Sequence, residues 1–170
     1  MLRSAVWALI VLVVLSMTTS CSLVSSWFGN DDPAKPTTVS AFDVTVGECF
    51  LAPKAVTGEL ADLSKVPCSV KHQQELFAKA TFEPPAGTTA SADIAGDTYP
   101  GDAALDTFAK GACAEAFTGY VGIAYPDSGL WMTYLLPSAR SWQQGDDRAI
   151  LCFVTTTGAS LTTSVKGSKL

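Results

Sequence analysis

The chain has 170 residues, 48% of them hydrophobic, with 16 acidic against 11 basic side chains and a net charge of −5. That length supports a single core-bearing domain, while the acidic balance, without a Lys/Arg cluster, excludes the electrostatic footprint of a nucleic-acid binder. Five cysteines leave one over after any pairing.

The odd one is Cys21. Met1–Ser20 carries one charge, Arg3, followed by an apolar run of about 13 residues, Ala5–Met17. Such a run matches the core of a signal peptide and falls short of the roughly 20 residues that span a bilayer. Small residues then lead into Cys21, an arrangement that resembles a bacterial lipoprotein signal, although Thr18 stands where leucine is usual. The resemblance implies that the thiol takes a diacylglyceryl group and that cleavage makes Cys21 the new N-terminus. An ordinary cleaved signal or an uncleaved anchor is the alternative. Residues 1–20 are thus expected to be a signal peptide, 21–40 the lipidated cysteine and a flexible tether, and 41–167 the folded domain. At roughly 0.8 kcal/mol per buried CH₂, several acyl chains would hold the protein at the extracytoplasmic face of the cell membrane. No later apolar run approaches the length of a second span. Ser168-Lys169-Leu170 matches a peroxisomal address, which an exported chain does not present to its cytosolic receptor.

In chain order, the tether "SLVSSWFGNDDPAKPTTVS" mixes Ser, Asp, Pro and Thr without periodicity. "AFDVTVGECF" alternates, with Phe42, Val44 and Val46 on one side, and predicts a strand ending at Gly47. "LAPKAVTGELADLSKVP" reads as a loop. "QQELFAKATF" predicts a second strand with Leu76, Ala78, Ala80 and Phe82 on one face, and residues 83–100 a long surface loop. From Gly101, Leu105, Phe108, Ala109, Ala112, Ala116, Phe117 and Tyr120 follow the helical period, with Gly122 at the exit. Asp102 and Asp106 suit the positive end of the helix dipole. "LWMTYLLP" and "RAILCFVTT" complete the strands, and "PSARSWQQGDDR" between them reads as a loop.

Four cysteines remain, an even number in an exported chain, and they suggest two disulfides. No Cys-x-x-Cys exists, which argues against a redox site or a zinc ribbon. Of the three possible pairings, Cys113–Cys152 staples the apolar side of the helix to the last strand, and Cys49–Cys68 then closes the loop between the first two strands. On the loop-entropy model these contribute roughly 4 and 3 kcal/mol. The expected fold is α+β: an antiparallel sheet with one main amphipathic helix packed on it.

The single histidine, His72, is the base in any Ser–His or Cys–His scheme. No nucleophile elbow, zinc-protease, EF-hand, P-loop or dinucleotide motif occurs, so no catalytic residue, cofactor or metal is expected. His72 and Glu75, three apart on a strand, project to opposite faces, which makes joint metal ligation awkward and favours a structural imidazole. Trp142 and Arg148 flank a turn. Trp142 is either a binding anchor or an aromatic covering the core edge, with Arg148 paired to Glu75 or Asp146. His72, Glu75, Trp142 and Arg148 together are the candidate contact patch.

The order Val46-Gly47-Glu48-Cys49-Phe50, Val66-Pro67-Cys68 with His72 and Glu75, Tyr99-Pro100-Gly101, Cys113, Tyr120-Val121-Gly122, then Pro137, Ser141-Trp142, Gly145-Asp146, Arg148 and Cys152 resembles the septum-formation family domain of actinobacterial exported proteins. The likeness covers residues 44–154 and departs at Asp146-Asp147, where one acid is expected. It implies an extracytoplasmic, non-catalytic domain of the cell envelope or division apparatus. The expected function is that of a lipid-anchored accessory protein touching envelope or division proteins. A small-ligand or glycan-binding lipoprotein with an aromatic-lined cleft is the alternative.

Overall fold

A computed structural model describes residues 35–54, 59–83 and 98–170, all within the unit Pro33–Leu170. The expected signal peptide, Cys21 and most of the expected tether lie outside the described residues. Six strands form one antiparallel sheet: β1 (Thr37–Ser40), β2 (Cys49–Leu51), β3 (Asp62–Val66), β4 (Gln74–Thr81), β5 (Trp131–Leu135) and β6 (Ala149–Thr155), in the order β1-β3-β2-β4-β6-β5. Two helices join them, α1 (Asp102–Val121) and the short α2 (Ala139–Gly145).

Helix α1 lies where the 3.6-residue period puts it. Its buried stripe of Leu105, Ala109, Cys113, Phe117, Tyr120 and Val121 packs on one face of the sheet, against Phe77, Ile150, Cys152 and Val154. The opposite face carries a second cluster around Phe50, Leu63, Leu76, Leu151 and Phe153. A third, Phe82, Leu105 and Trp142, seats α2. Both disulfides form as the strand and helix faces demand, Cys49–Cys68 and Cys113–Cys152, with Cα separations of 5.2 and 5.6 Å, inside the usual range. The expected α+β architecture, with its main helix and two staples, is the observed one.

Four local expectations are corrected. The strand ending at Gly47 is instead a series of turns. Asp43 N–H donates to Ser40 O, Glu48 N–H to Thr45 O and Thr45 N–H to the Glu48 carboxylate. Asp, Thr and Glu side chains here offer the backbone local partners that compete with a ladder. The segment also has to carry the chain past β3, since β1 and β2 flank it, and only Ala41 and Val44 turn inward. Second, β1 occupies the end of the expected tether, and β3 lies in the expected loop, with Val39 opposite Leu63. Third, a bulge in β4 between Leu76 and Ala78 puts Leu76 opposite Phe153 and Ala78 opposite Cys152. One extra residue in the strand moves Leu76 to the far face from Ala78 and Ala80. Fourth, the loop after β5 contains α2, opened by a capping box in which the Ser138 and Ser141 side chains exchange bonds with each other's backbone N–H.

The last residues close the first face. Leu161 and Val165 join its core, Leu161 pairs with His72 in a two-bond bridge, and Gly167 and Lys169 N–H donate to the Tyr120 and Val121 carbonyls. These terminal carbonyls of α1 have no partner within the helix. Gly122, at φ 87°, turns the chain out of α1, and a β-carbon there would stand 3.3 Å from Lys169 Cγ.

Candidate functional site

The sequence-selected residues fall into two clusters rather than one patch. Glu75, on β4, is fully buried and accepts three hydrogen bonds: from Tyr120 OH of α1 at 2.5 Å, Ser164 Oγ at 2.6 Å and Val165 N–H at 2.8 Å. Three donors on one carboxylate satisfy a buried acceptor that is costly when unpaired. Burial, and then the Glu75 carboxylate beside it, push the Tyr120 phenol well above its ordinary range, so it stays a donor. The carboxylate therefore clamps β4, α1 and the C-terminal segment together.

His72 is also fully buried. Its Nδ1 lies 2.8 Å from Val70 O; since a carbonyl only accepts, Nδ1 carries the proton. Nε2 has no partner among the described residues. Contrary to simple alternation, His72 and Glu75 come together: a bend separates His72 from β4, and ligand atoms of Cys49, His72 and Glu75 lie within 4.8 Å of one another. The donor set does not suit a metal. Cys49 Sγ is bonded to Cys68, and both Glu75 oxygens already accept hydrogen bonds.

Trp142 belongs to the interior, at 4% exposure. Its ring meets Tyr99 and Phe82 edge-on, each with centroids 5.8 Å away, and the Arg148 guanidinium stacks 3.8 Å from its centroid. Arg148 Nη1 donates to the Trp142 and Asp147 carbonyls, and Nη2 lies 3.1 Å from Asp146 Oδ1. Arg148 thus pairs with Asp146, not Glu75, and ties the end of α2 to the start of β6. Five residues of β4 separate Glu75 from Thr81, which pairs with Ala149 beside Arg148, roughly 20 Å along a strand. The expected contact patch is corrected accordingly. His72, Glu75 and Trp142 are buried, and the two clusters stand apart.

What the surface does offer is a groove that no sequence motif marks. It encloses about 1140 Å³ on the sheet face opposite α1. Thr133, Leu135, Leu151 and Phe153 from β5 and β6 form its floor. Ala41, Phe42, Glu59–Ala61 and Leu63 line it from the β1–β3 end, Pro137–Ala139, Ser141 and Gly145–Arg148 from the α2 end. One bridge joins these two linings: Ser138 Oγ donates to Glu59 Oε1 at 2.6 Å, with Arg140 3.9 Å from Glu59 Oε2. Apart from the Ser138-x-x-Ser141 cap, the sequence holds no signal for this arrangement, because its residues come from many separate stretches between Ala41 and Phe153.

The profile of a family described as septum formation matches residues 46–168, well over half of the chain. The chain belongs to the septum-formation family. Its matched region contains both disulfides, α1, the Glu75 clamp and most of the groove. Membership suggests a role at the septum or cell envelope, and so an extracellular or envelope-associated protein. No curated protein and no solved structure matches the chain. Among the described residues, no helix is long and apolar enough to cross a membrane.

Proposed function

We propose that this septum-formation domain is a non-catalytic accessory module, held by a lipid on Cys21 at the extracytoplasmic face of the cell membrane, which acts by receiving a segment of an envelope or division protein in its sheet-face groove. The groove carries this reading. At about 1140 Å³ it exceeds the roughly 300–1,000 Å³ of ordinary small-molecule pockets, and three of the four side chains of its floor are apolar. The ligand-binding alternative relied on Trp142 as an aromatic anchor, and that ring is buried under α2. Two disulfides suit an oxidising compartment, and the run before Cys21 supports export and lipidation.

The test is photocrosslinking in living cells from an amino acid installed at Thr133, on the groove floor, and at Lys110, on the exposed side of α1. An adduct with one envelope protein from Thr133 and none from Lys110 is the expected result. Adducts from Lys110 alone overturn the groove reading. Cys21→Ser should shift the protein from the membrane fraction to the medium, and retention in the membrane would remove the lipid anchor from the proposal.

A further inference from the structure

The groove has a charge asymmetry that selects among polypeptide occupants. Acids outnumber cations along its lining, Glu59, Asp102, Asp146 and Asp147 against Lys79 and Arg148, and both cations are engaged. Lys79, itself exposed, donates from Nζ to the Val44 carbonyl at 3.1 Å and the Phe42 carbonyl at 3.5 Å, and Arg148, whose side chain is 17% exposed, lies stacked on Trp142 and paired with Asp146 at 3.1 Å. Among the described residues, two carboxylates project with a single partner each. Asp146, held at φ 50° after α2, has a side chain 93% exposed beside Arg148, and Asp102 stands exposed while accepting from Tyr99 OH. Glu59 adds a third carboxylate on the opposite lining, partly offset by Arg140. Asp147 is the exception, since its oxygens accept from Ser141 Oγ and Ala149 N–H.

An apolar floor between projecting acids fits a chain that alternates apolar and basic residues. In an extended segment successive side chains point to opposite sides, so one row can lie on the half-buried Thr133 and Leu135, above the buried Leu151 and Phe153, while the other reaches the acidic rim. Resting on the groove reading above, we infer that the occupant is an extended, lysine- or arginine-bearing segment of another protein. A second copy of this chain, with its net charge of −5, is disfavoured by like-charge repulsion.

Fluorescence anisotropy with the full chain in a non-ionic detergent tests this, using labelled peptides of alternating valine and lysine, valine and glutamate, and valine and serine. Variants that keep the wild-type unfolding midpoint are compared. The lysine peptide should bind, more weakly as salt rises, and the glutamate peptide should not. Asp102→Asn with Asp146→Asn should weaken binding about tenfold, the sum of two exposed ion pairs, and Thr133→Trp, which fills the floor, should abolish it. Lysine-peptide binding that survives Thr133→Trp overturns the inference, because the cation then binds elsewhere. Equal binding of the serine or glutamate peptide, lost in Thr133→Trp, overturns the charge class while leaving the groove a contact site. If no peptide binds, the inference fails, and the Thr133 crosslink in cells still decides the groove reading separately.

Discussion

Strands β4 and β6 present alternate residues to two very different surroundings. On one side Ala78, Ile150, Cys152 and Val154 meet α1, a disulfide and the Glu75 clamp. On the other, Leu151 and Phe153 share a smaller cluster and then open into the groove. The first face is cross-linked by sulfur, by a buried carboxylate and by the C-terminal segment, while the second, among the described residues, is tied by exposed contacts such as Glu59 with Ser138 and Arg140. The contrast assigns stability to one side and leaves on the other the open groove in which the proposed partner would sit.

The comparison breaks if damage to the helix face is cheap. Glu75→Ala strands Tyr120 OH and the Val165 N–H in the interior and should cost about 4 kcal/mol in urea unfolding. Replacing Cys113 and Cys152 together by alanine should cost a similar amount, about 4 kcal/mol, from loss of the cross-link. Trp142→Ala empties the seat of α2 and should cost about 3 kcal/mol. That outcome separates a core aromatic from a surface anchor, whose removal would leave the unfolding midpoint in place.

Alkali supplies a smaller effect at the groove's edge. Burial, followed by the Asp102 carboxylate, pushes the Tyr99 phenol up to about 12. A raised folded-state value stabilises the neutral form, so its contribution is intact below the ordinary value near 10, declines as pH climbs and is lost above about 12. Phenolate absorbance of the folded chain, compared with Tyr99→Phe, should show the missing ionisation near the upper end of that window. The smallest effect belongs to the groove face itself. Glu59→Gln should change stability by less than about 1 kcal/mol, because its partners are exposed. A larger loss would mean that this bridge holds the sheet together.

Periodicity made the helix face legible. The stripe from Leu105 to Tyr120 predicts α1, and the outward–inward alternation of Ile150, Cys152 and Val154 predicts which cysteine meets it. Short elements escaped because their signals are local or cross-strand. β1 and β3 exist chiefly by pairing Val39 with Leu63, and α2 is announced by one serine pair. The His72–Glu75 association escaped for a different reason. Alternation assumes an unbroken strand, and the bend at Gln73 restores the same side to both residues. Trp142 at 4% exposure fits the reading of an aromatic covering the core edge, but the sequence alone does not tell that Arg148 would lie over its ring. The groove was least legible of all, being a property of many chain segments rather than of any one.

The partners of Glu75 include Ser164 and Val165, and the far end of α1 is completed by Gly167 and Lys169. A chain lacking these residues has a carboxylate without two of its donors and a helix with bare terminal carbonyls. Their removal should therefore loosen strand, helix and disulfide together rather than fray one edge, which makes this short segment the keystone of the helix face.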